Sequence, residues 1–385
     1  MEVRLAGTGG DRGWPRPDCR CASCERARSA GRSRAPTRVL VDGVLGIDPG
    51  TPPVPGPAAS GHRVERVPGA WAVTGPDGAR LLVGDGPGDG GTPPRAGAGA
   101  SGSGPYDLVL LDLLDNPAQL GALRQRGLVH ARTVAAVLHA DHRISSEAEL
   151  ARRSRYWGVT LPDDGDVLTA TPAPASPAAG PWAGHGGPRR VLVLGGARSG
   201  KSRHAELRLA AEPRVTYLAA GPYPPPASPS RSTAQPAADA DWAERVAAHL
   251  ARRPPWWQTV ETLDVAGTLR SESGAVLFDG AGTWLAAVMG ESGAWAEDGG
   301  EGSGREGLAQ AEAQIAARVD ELIEAWRQTR ARVVAVSDEV GSSIHPPTRA
   351  GRLFRDQLGW LNQRLAAESE EAVLMVAGRA LTLPS

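Results

Sequence analysis

Residues 191–202 leave this chain little freedom in how it folds. An apolar run, Val191-Leu192-Val193-Leu194, leads into Gly195-Gly196-Ala197-Arg198-Ser199-Gly200-Lys201-Ser202, after which the pattern turns helical. G-x-x-x-x-G-K-S between a strand and a helix implies one local geometry. The glycines curl the backbone so that its N–H groups converge where the helix N-terminus also favours an anion. In such a loop Lys201 reaches the outer phosphates of a nucleotide and the Ser202 hydroxyl serves Mg²⁺. A glycine turn could match by chance where Gly and Pro make up about a fifth of 385 residues. Composition argues against chance: Lys201 is the sole lysine, and the other 41 basic residues are arginine. Where arginine can serve as surface charge it is used, so the surviving lysine marks a position that needs a compact ammonium.

Around the loop, short apolar runs at Arg190–Leu194, Val215–Ala219, Ala275–Asp279, Arg332–Ser337 and Ala372–Ala377 alternate with amphipathic stretches. The latter are Ser202–Ala211, Asp241–Arg252, Leu308–Arg330 and Arg349–Ala367. The order predicts an α/β domain of the P-loop NTPase kind, a mostly parallel sheet with flanking helices. Val276-Leu277-Phe278-Asp279 ends in a carboxylate, where such folds carry a second Mg²⁺-supporting acid; the same pattern also suits an ordinary strand-end turn. The first half reads as mostly β, with strands at Val39–Ile47, Gly69–Thr74, Ala79–Val83 and Asp107–Leu111. A helix at Ser145–Tyr156 follows, capped by Ser145 or Ser146. Gly86–Pro105, Thr171–Pro188 and Pro222–Ala238 are too rich in Gly, Pro, Ala and Ser to build a core and read as linkers or insertions. The second of these predicts a division into domains 1–170 and 189–385 joined by 171–188. Lys+Arg 42 against Asp+Glu 43 leaves a net charge of -1, so no overall basic field exists for nucleic acid or an anionic membrane. No run approaches the ~20 apolar residues of a membrane span, and Met1-Glu2-Val3-Arg4-Leu5 has no signal-peptide core. A cytoplasmic protein is expected.

Further blocks follow in the second half: Asp241-Trp242-Ala243-Glu244-Arg245 through His249, Arg253-Pro254-Pro255-Trp256-Trp257-Gln258-Thr259-Val260-Glu261, and Val336-Ser337-Asp338-Glu339-Val340-Gly341. After them come Phe354 to Gln363 and Val376-Ala377-Gly378. With the phosphate loop, these blocks resemble the bifunctional adenosylcobinamide kinase / adenosylcobinamide-phosphate guanylyltransferase family of cobalamin biosynthesis, over about residues 189–385 and in the family's order. The resemblance implies phosphorylation of the aminopropanol hydroxyl of adenosylcobinamide, then transfer of GMP from GTP to the new phosphate through a guanylylated histidine. His249 matches that nucleophile; without the chemistry it would be one more histidine on a helix face. Lys201 and Asp279 complete the implied catalytic set. Gly195, Gly196, Ala197, Arg198, Ser199, Gly200, Lys201, Ser202, Arg253 and Glu261 form the implied nucleotide site, with Mg²⁺ on Ser202 and Asp279. Arg245, Arg253 and Glu261 could equally be solvated ion pairs. GTP is the implied nucleotide, with ATP open for the kinase step, and the family suggests a homo-oligomer. Several positions depart from the pattern. Asp338 stands where the family usually has Asn, Gly280-Ala281 replace Cys-Leu, Ser342 to Pro347 replace a glycine-rich turn, and Pro222–Ala238 is inserted. The rival reading is a regulatory or scaffolding protein that binds GTP without chemistry, for which an accessible nucleophile at His249 would serve no purpose.

The three cysteines, Cys19, Cys21 and Cys24, fall within six residues, which suits metal or redox chemistry and makes no disulfide framework. With Gly7-Thr8-Gly9, Gly13-Trp14-Pro15, Asp48-Pro49-Gly50, Asp85-Gly86-Pro87 and His139-Ala140-Asp141-His142, this half resembles metallo-β-lactamase-fold phosphodiesterases of the phosphonate-pathway type, an αββα fold. Similar enzymes hold a structural zinc on three cysteines and a late histidine, here His142, while His139 matches a late active-site ligand. The His-x-His-x-Asp-His hallmark is missing, and Asp85 and His139 fall short of the five or six ligands that a dinuclear hydrolase needs. The expectation is a degenerate domain without hydrolase activity, keeping a structural Zn²⁺ on Cys19, Cys21, Cys24 and His142. The alternative is three free thiols in a loop.

Overall fold

The computed structural model describes residues 1–48, 51–55, 61–86, 104–172, 187–220, 253–295, 305–342 and 345–384. The expected helix Asp241–Arg252, with Arg245 and His249, lies outside these residues, as do the Pro222–Ala238 insertion and most of the other two linkers. Contacts divide the chain into two compact units, Met1–Gly187 with Ala210–Pro213, and Pro188–Leu209 with Arg214–Ser385.

The second unit is built on a seven-stranded sheet. Its strands are β11 (Arg190–Gly195), β12 (Val215–Ala219), β13 (Gln258–Glu261), β14 (Ala275–Asp279), β15 (Arg332–Asp338), β16 (Glu371–Val376) and β17 (Arg379–Thr382), in the order β13-β12-β14-β15-β11-β16-β17. All neighbours run parallel except β16 and β17. Successive side chains of a strand face opposite sides, and both sides of β11 are apolar. Leu192 and Leu194 join one core with Phe278 and Trp284, while Val191 and Val193 join another with Ala205 and Leu209. That double burial is why the strand reads as a continuous apolar run. The helices are α4 (Lys201–Leu209), α5 (Val265–Ser271), α6 (Ala281–Glu291), α7 (Arg305–Gln328) and α8 (Arg349–Ala367). The five expected strands are all present within a residue at each end. Four elements add to the expectation: β13 and α5, whose short runs gave no clear period, α6 and β17. The run expected to reach Ala377 stops at Val376, because Ala377 (φ 49) and Gly378 (φ 74) turn the chain back into β17.

The first unit holds two five-stranded sheets. One has the order β10-β1-β2-β3-β4, from β1 (Glu2–Gly7), β2 (Arg38–Val41), β3 (Leu45–Ile47), β4 (Val54–Pro55) and β10 (Val167–Thr169). The other runs β5-β6-β7-β8-β9, from β5 (Arg63–Val67), β6 (Ala70–Thr74), β7 (Arg80–Gly84), β8 (Leu108–Leu111) and β9 (Val134–Val137). Val3, Leu5, Val39 and Leu45 of the first sheet share one buried cluster with Leu81, Val83, Leu108 and Leu110 of the second, so the sheets pack face to face. Val39–Ile47, expected as one strand, is instead the β2–β3 hairpin. Val41 pairs with Leu45 across a three-residue turn in which Asp42 (φ 48) and Gly43 (φ 70) both take the left-handed conformation, which Asp-Gly favours. Helix α3 (Glu147–Trp157) starts at Ser146, whose Oγ accepts a hydrogen bond from the Glu149 amide, and ends at Gly158. Helices α1 (Ala22–Ser29) and α2 (Ala118–Gln125) complete the unit. Among the described residues no helix is long and apolar enough to cross a membrane.

Candidate functional site

The parallel order of the second unit brings the carboxyl ends of β11, β14 and β15 together, the edge where open α/β sheets bind ligands. From β11 the chain turns through Gly196 to Gly200, with Arg198 (φ 55) and Gly200 (φ 96) at positive φ, and enters α4 at Lys201. Gly195 cannot carry a side chain, since a Cβ there would lie 2.5 Å from Ser199 Oγ and 2.9 Å from the Met375 carbonyl. The β16–β17 turn also supports the loop, with the Gly378 amide donating to the Ser199 carbonyl at 3.0 Å.

Lys201 Nζ donates to the Gly196 carbonyl at 3.2 Å and pairs with Asp338 Oδ1 at 2.8 Å. The Ser202 hydroxyl donates to Asp279 Oδ1 at 3.2 Å, so the two residues expected to serve Mg²⁺ meet across α4 and β14. Both Asp279 and Ser202 are hard oxygen donors, the chemistry Mg²⁺ takes. Tyr217 of β12 donates its hydroxyl to Asp279 Oδ2 at 2.9 Å. Burial, reinforced by the Asp279 charge, pushes the phenol well above its usual range, so it stays a donor. The Arg253 guanidinium stacks 3.1 Å from the centre of the Tyr217 ring, which joins the Arg253-Pro254 block to the carboxylate. Glu261 stands exposed at the carboxyl end of β13, two strands from Asp279 along the same edge. Arg198 is exposed in the loop. His249 lies outside the described residues.

Tyr217 and Asn362 had no assigned role in the sequence, and neither carries a local signal. Tyr217 reads as one more aromatic residue on a buried strand, and Asn362 as a polar position on an amphipathic helix. In the structure Asn362 braces the end of β15, where its Oδ1 accepts from Ser337 Oγ at 2.6 Å and its Nδ2 donates to the Asp338 carbonyl at 3.0 Å. Tyr217→Phe keeps the ring and the Arg253 stacking but removes the hydroxyl's hydrogen bond to Asp279 Oδ2. It is expected to raise the Mg²⁺ concentration needed for half-maximal nucleotide binding about ten-fold, the usual scale for a group that orients a metal-binding carboxylate, with little change in melting temperature. A magnesium titration of the variant checks this.

In the first unit, the ligand atoms of Cys19, Cys21, Cys24 and His142 all lie within 4.8 Å of one another, with Cys19 Sγ 3.3 Å from His142 Nδ1. Burial pushes the Cys24 thiol up to about 11, whereas the Cys24 backbone amide draws the exposed Cys21 thiol down. His139 and Asp85 line a small cleft with Thr37, Asp48 and Trp71. Asp85 is engaged there by a bidentate pair with Arg66, at 2.5 and 2.6 Å, and His139 Nε2 lies 3.3 Å from the Gly84 carbonyl. Burial lowers the His139 imidazole to about 4, so it is neutral at physiological pH.

Residues 191–383, the second unit and its phosphate loop, match the family described as cobinamide kinase / cobinamide phosphate guanyltransferase. The bifunctional adenosylcobalamin biosynthesis protein CobP of Pseudomonas aeruginosa is 35% identical over 200 residues, which are 50% of this chain and 96% of that protein. The bifunctional adenosylcobalamin biosynthesis protein CobU of Salmonella typhimurium is 35% identical over 192 residues, 49% of this chain and 96% of its own. CobU of Escherichia coli is 35% identical over 193 residues, with the same coverage. A match that spans nearly the whole of each relative, laid over a unit whose Lys201, Ser202 and Asp279 converge on one loop, settles the lineage: the chain belongs to the cobinamide kinase / cobinamide phosphate guanyltransferase family.

Proposed function

We propose that the second unit phosphorylates the aminopropanol hydroxyl of adenosylcobinamide and then transfers GMP from GTP to that phosphate, giving adenosylcobinamide-GDP. The observation that carries the reading is the meeting of Ser202 and Asp279 beside Lys201 at the loop, within residues 191–383 that match the family. In the kinase step the substrate hydroxyl oxygen attacks the γ-phosphorus of ATP or GTP; the bond to the nucleoside diphosphate breaks and the hydroxyl proton is released. Loop amides and Lys201 hold the phosphates and offset their growing charge. Ser202 and Asp279 hold Mg²⁺, which supplies charge neutralisation, and Tyr217 keeps the Asp279 carboxylate oriented. In the second step a neutral imidazole nitrogen of His249 attacks the α-phosphorus of GTP and pyrophosphate leaves. An oxygen of cobinamide phosphate then displaces the imidazole and takes the guanylyl group. Arg253 and Glu261 contact the nucleotide.

Incubation with Mg²⁺ and α-labelled GTP tests this. The expected result is protein-bound label that is acid-labile and base-stable, and that cobinamide phosphate discharges. No label on protein that still binds GTP would favour the rival, a nucleotide-binding regulator that has lost the transfer step. We place the enzyme in the cytoplasm as a homo-oligomer, which sedimentation of the purified chain checks.

For the first unit we infer a metallo-β-lactamase-like αββα domain that has lost hydrolase activity. Two face-to-face sheets support the fold, and the engagement of Asp85 by Arg66 supports the loss. Three thiols and an imidazole are the donor set of a closed structural zinc site, so Cys19, Cys21, Cys24 and His142 would hold Zn²⁺ and tie the Cys19–Cys24 segment to the 139–142 turn. Cys21→Ser is expected to lose most of the zinc found in freshly purified wild type and to destabilise the unit by about 3 kcal/mol. Metal analysis and thermal melting read both, and retention of the zinc in the variant would dismiss the site.

A further inference from the structure

Phosphate is not the only group competing for Lys201. Strand β15 lies between β11 and β14, and its register sets Asp338 opposite Gly195, the residue at which the phosphate loop begins. The backbone there is held on both sides. The Glu339 amide donates to the Gly195 carbonyl at 3.2 Å, and buried Asn362 bridges the Ser337 hydroxyl and the Asp338 carbonyl. The Asp338 side chain therefore projects from a fixed point. Its Oδ1 takes the Lys201 ammonium at 2.8 Å, and its Oδ2 faces the first turn of α6, 3.4 Å from where a Cβ on Gly282 would sit. The pair is unequally covered, the Lys201 side chain being 15% exposed and that of Asp338 42%. Asp279, the neighbouring carboxylate, takes hydrogen bonds from Ser202 and Tyr217. Asp338 is thus the acid set against the lysine.

We infer that Asp338 is a specificity-determining counter-ion: it competes with nucleotide phosphate for Lys201 and so makes the loop select the Mg²⁺-bound nucleotide over the metal-free one. The inference rests on the nucleotide reading of the loop and adds a property to it. Phosphate oxygens that draw Lys201 away break its pair with Asp338 and bring a second negative group beside the carboxylate. Coulomb repulsion grows with ligand charge, so metal-free GTP suffers more than GTP whose charge is partly cancelled by Mg²⁺. A neutral side chain at position 338 removes both penalties while leaving the backbone bridge to Asn362 in place.

The experiment is calorimetric titration of the full chain with GTP, once with Mg²⁺ and once with a chelator. Asp338→Asn is expected to tighten metal-free GTP about ten-fold and Mg²⁺-bound GTP about three-fold or less, which lowers the preference for the metal complex. Asp338→Ser, which cannot replace the carboxylate as a partner for the ammonium, is expected to do the same. Glu339→Gln makes the same charge change one residue away, where the carboxylate accepts from the Gly341 amide, and is expected to shift both affinities less. In a Lys201→Ala background the gain from Asp338→Asn should shrink, because the competition has lost its object. Unchanged or weaker metal-free binding in both Asp338 variants, at wild-type melting temperature, overturns the inference and leaves the nucleotide reading standing. A wild type that binds GTP in neither condition overturns the nucleotide reading, and the inference with it.

Discussion

Replacing His249 with alanine is expected to abolish covalent guanylylation, lowering label from α-labelled GTP by more than about 10³-fold, while phosphorylation of cobinamide stays within about three-fold of wild type. The asymmetry follows from the chemistry. Guanylyl transfer through a histidine makes and breaks a nitrogen–phosphorus bond, and a methyl group has no lone pair to offer. Direct attack of cobinamide phosphate on GTP would have to bring two anions together without that intermediate. The kinase step has no such need, since the substrate hydroxyl is itself the nucleophile and catalysis lies in holding phosphates and metal. Assaying the two half-reactions separately on one preparation decides it. Full labelling of the variant would remove His249 from the mechanism, and loss of both activities with normal melting would make it a nucleotide-binding residue.

Lys201→Ala is expected to lower kinase kcat/KM about 10³-fold, with melting temperature unchanged to within a few degrees. The more informative change is Lys201→Arg. Arginine outnumbers lysine 41 to one in this chain, yet the planar guanidinium is wider than an ammonium and its donors are fixed in a fork. The space for the side chain is bounded by the Gly196 carbonyl at 3.2 Å and Asp338 at 2.8 Å. The arginine variant should therefore be impaired nearly as much as alanine despite keeping the charge. Steady-state kinetics with both variants check this, and an arginine enzyme within about three-fold of wild type would mean that charge alone is what the position supplies.

Legibility in the sequence tracked how local each feature is. The phosphate loop, its strand and its helix depend on neighbours in the chain, and apolar runs bounded by turn residues were enough to place β11, β12, β14, β15 and β16 and the helix α8. The first half was harder to read. Its strands are short, and the apolar residues of Val39–Ile47 conceal a reversal at Asp42-Gly43 that only the left-handed backbone reveals. Elements such as α1 and α2, eight residues each, are too short for helical periodicity to declare itself.

By itself, then, the sequence determined the strand, glycine-rich loop and helix over residues 190–209 and the α/β sheet that carries them, because hydrogen bonding within the loop and the strand period of two act between near neighbours. It also singled out Lys201, the sole lysine, through composition alone. Tertiary structure alone decided what surrounds that lysine. Strand order in a parallel sheet is set by long crossovers whose length carries no record of which strand will lie beside which. Hence Asp338 meeting Lys201, Tyr217 meeting Asp279, and Asn362 bracing the end of β15 could be read only after the strands were in register.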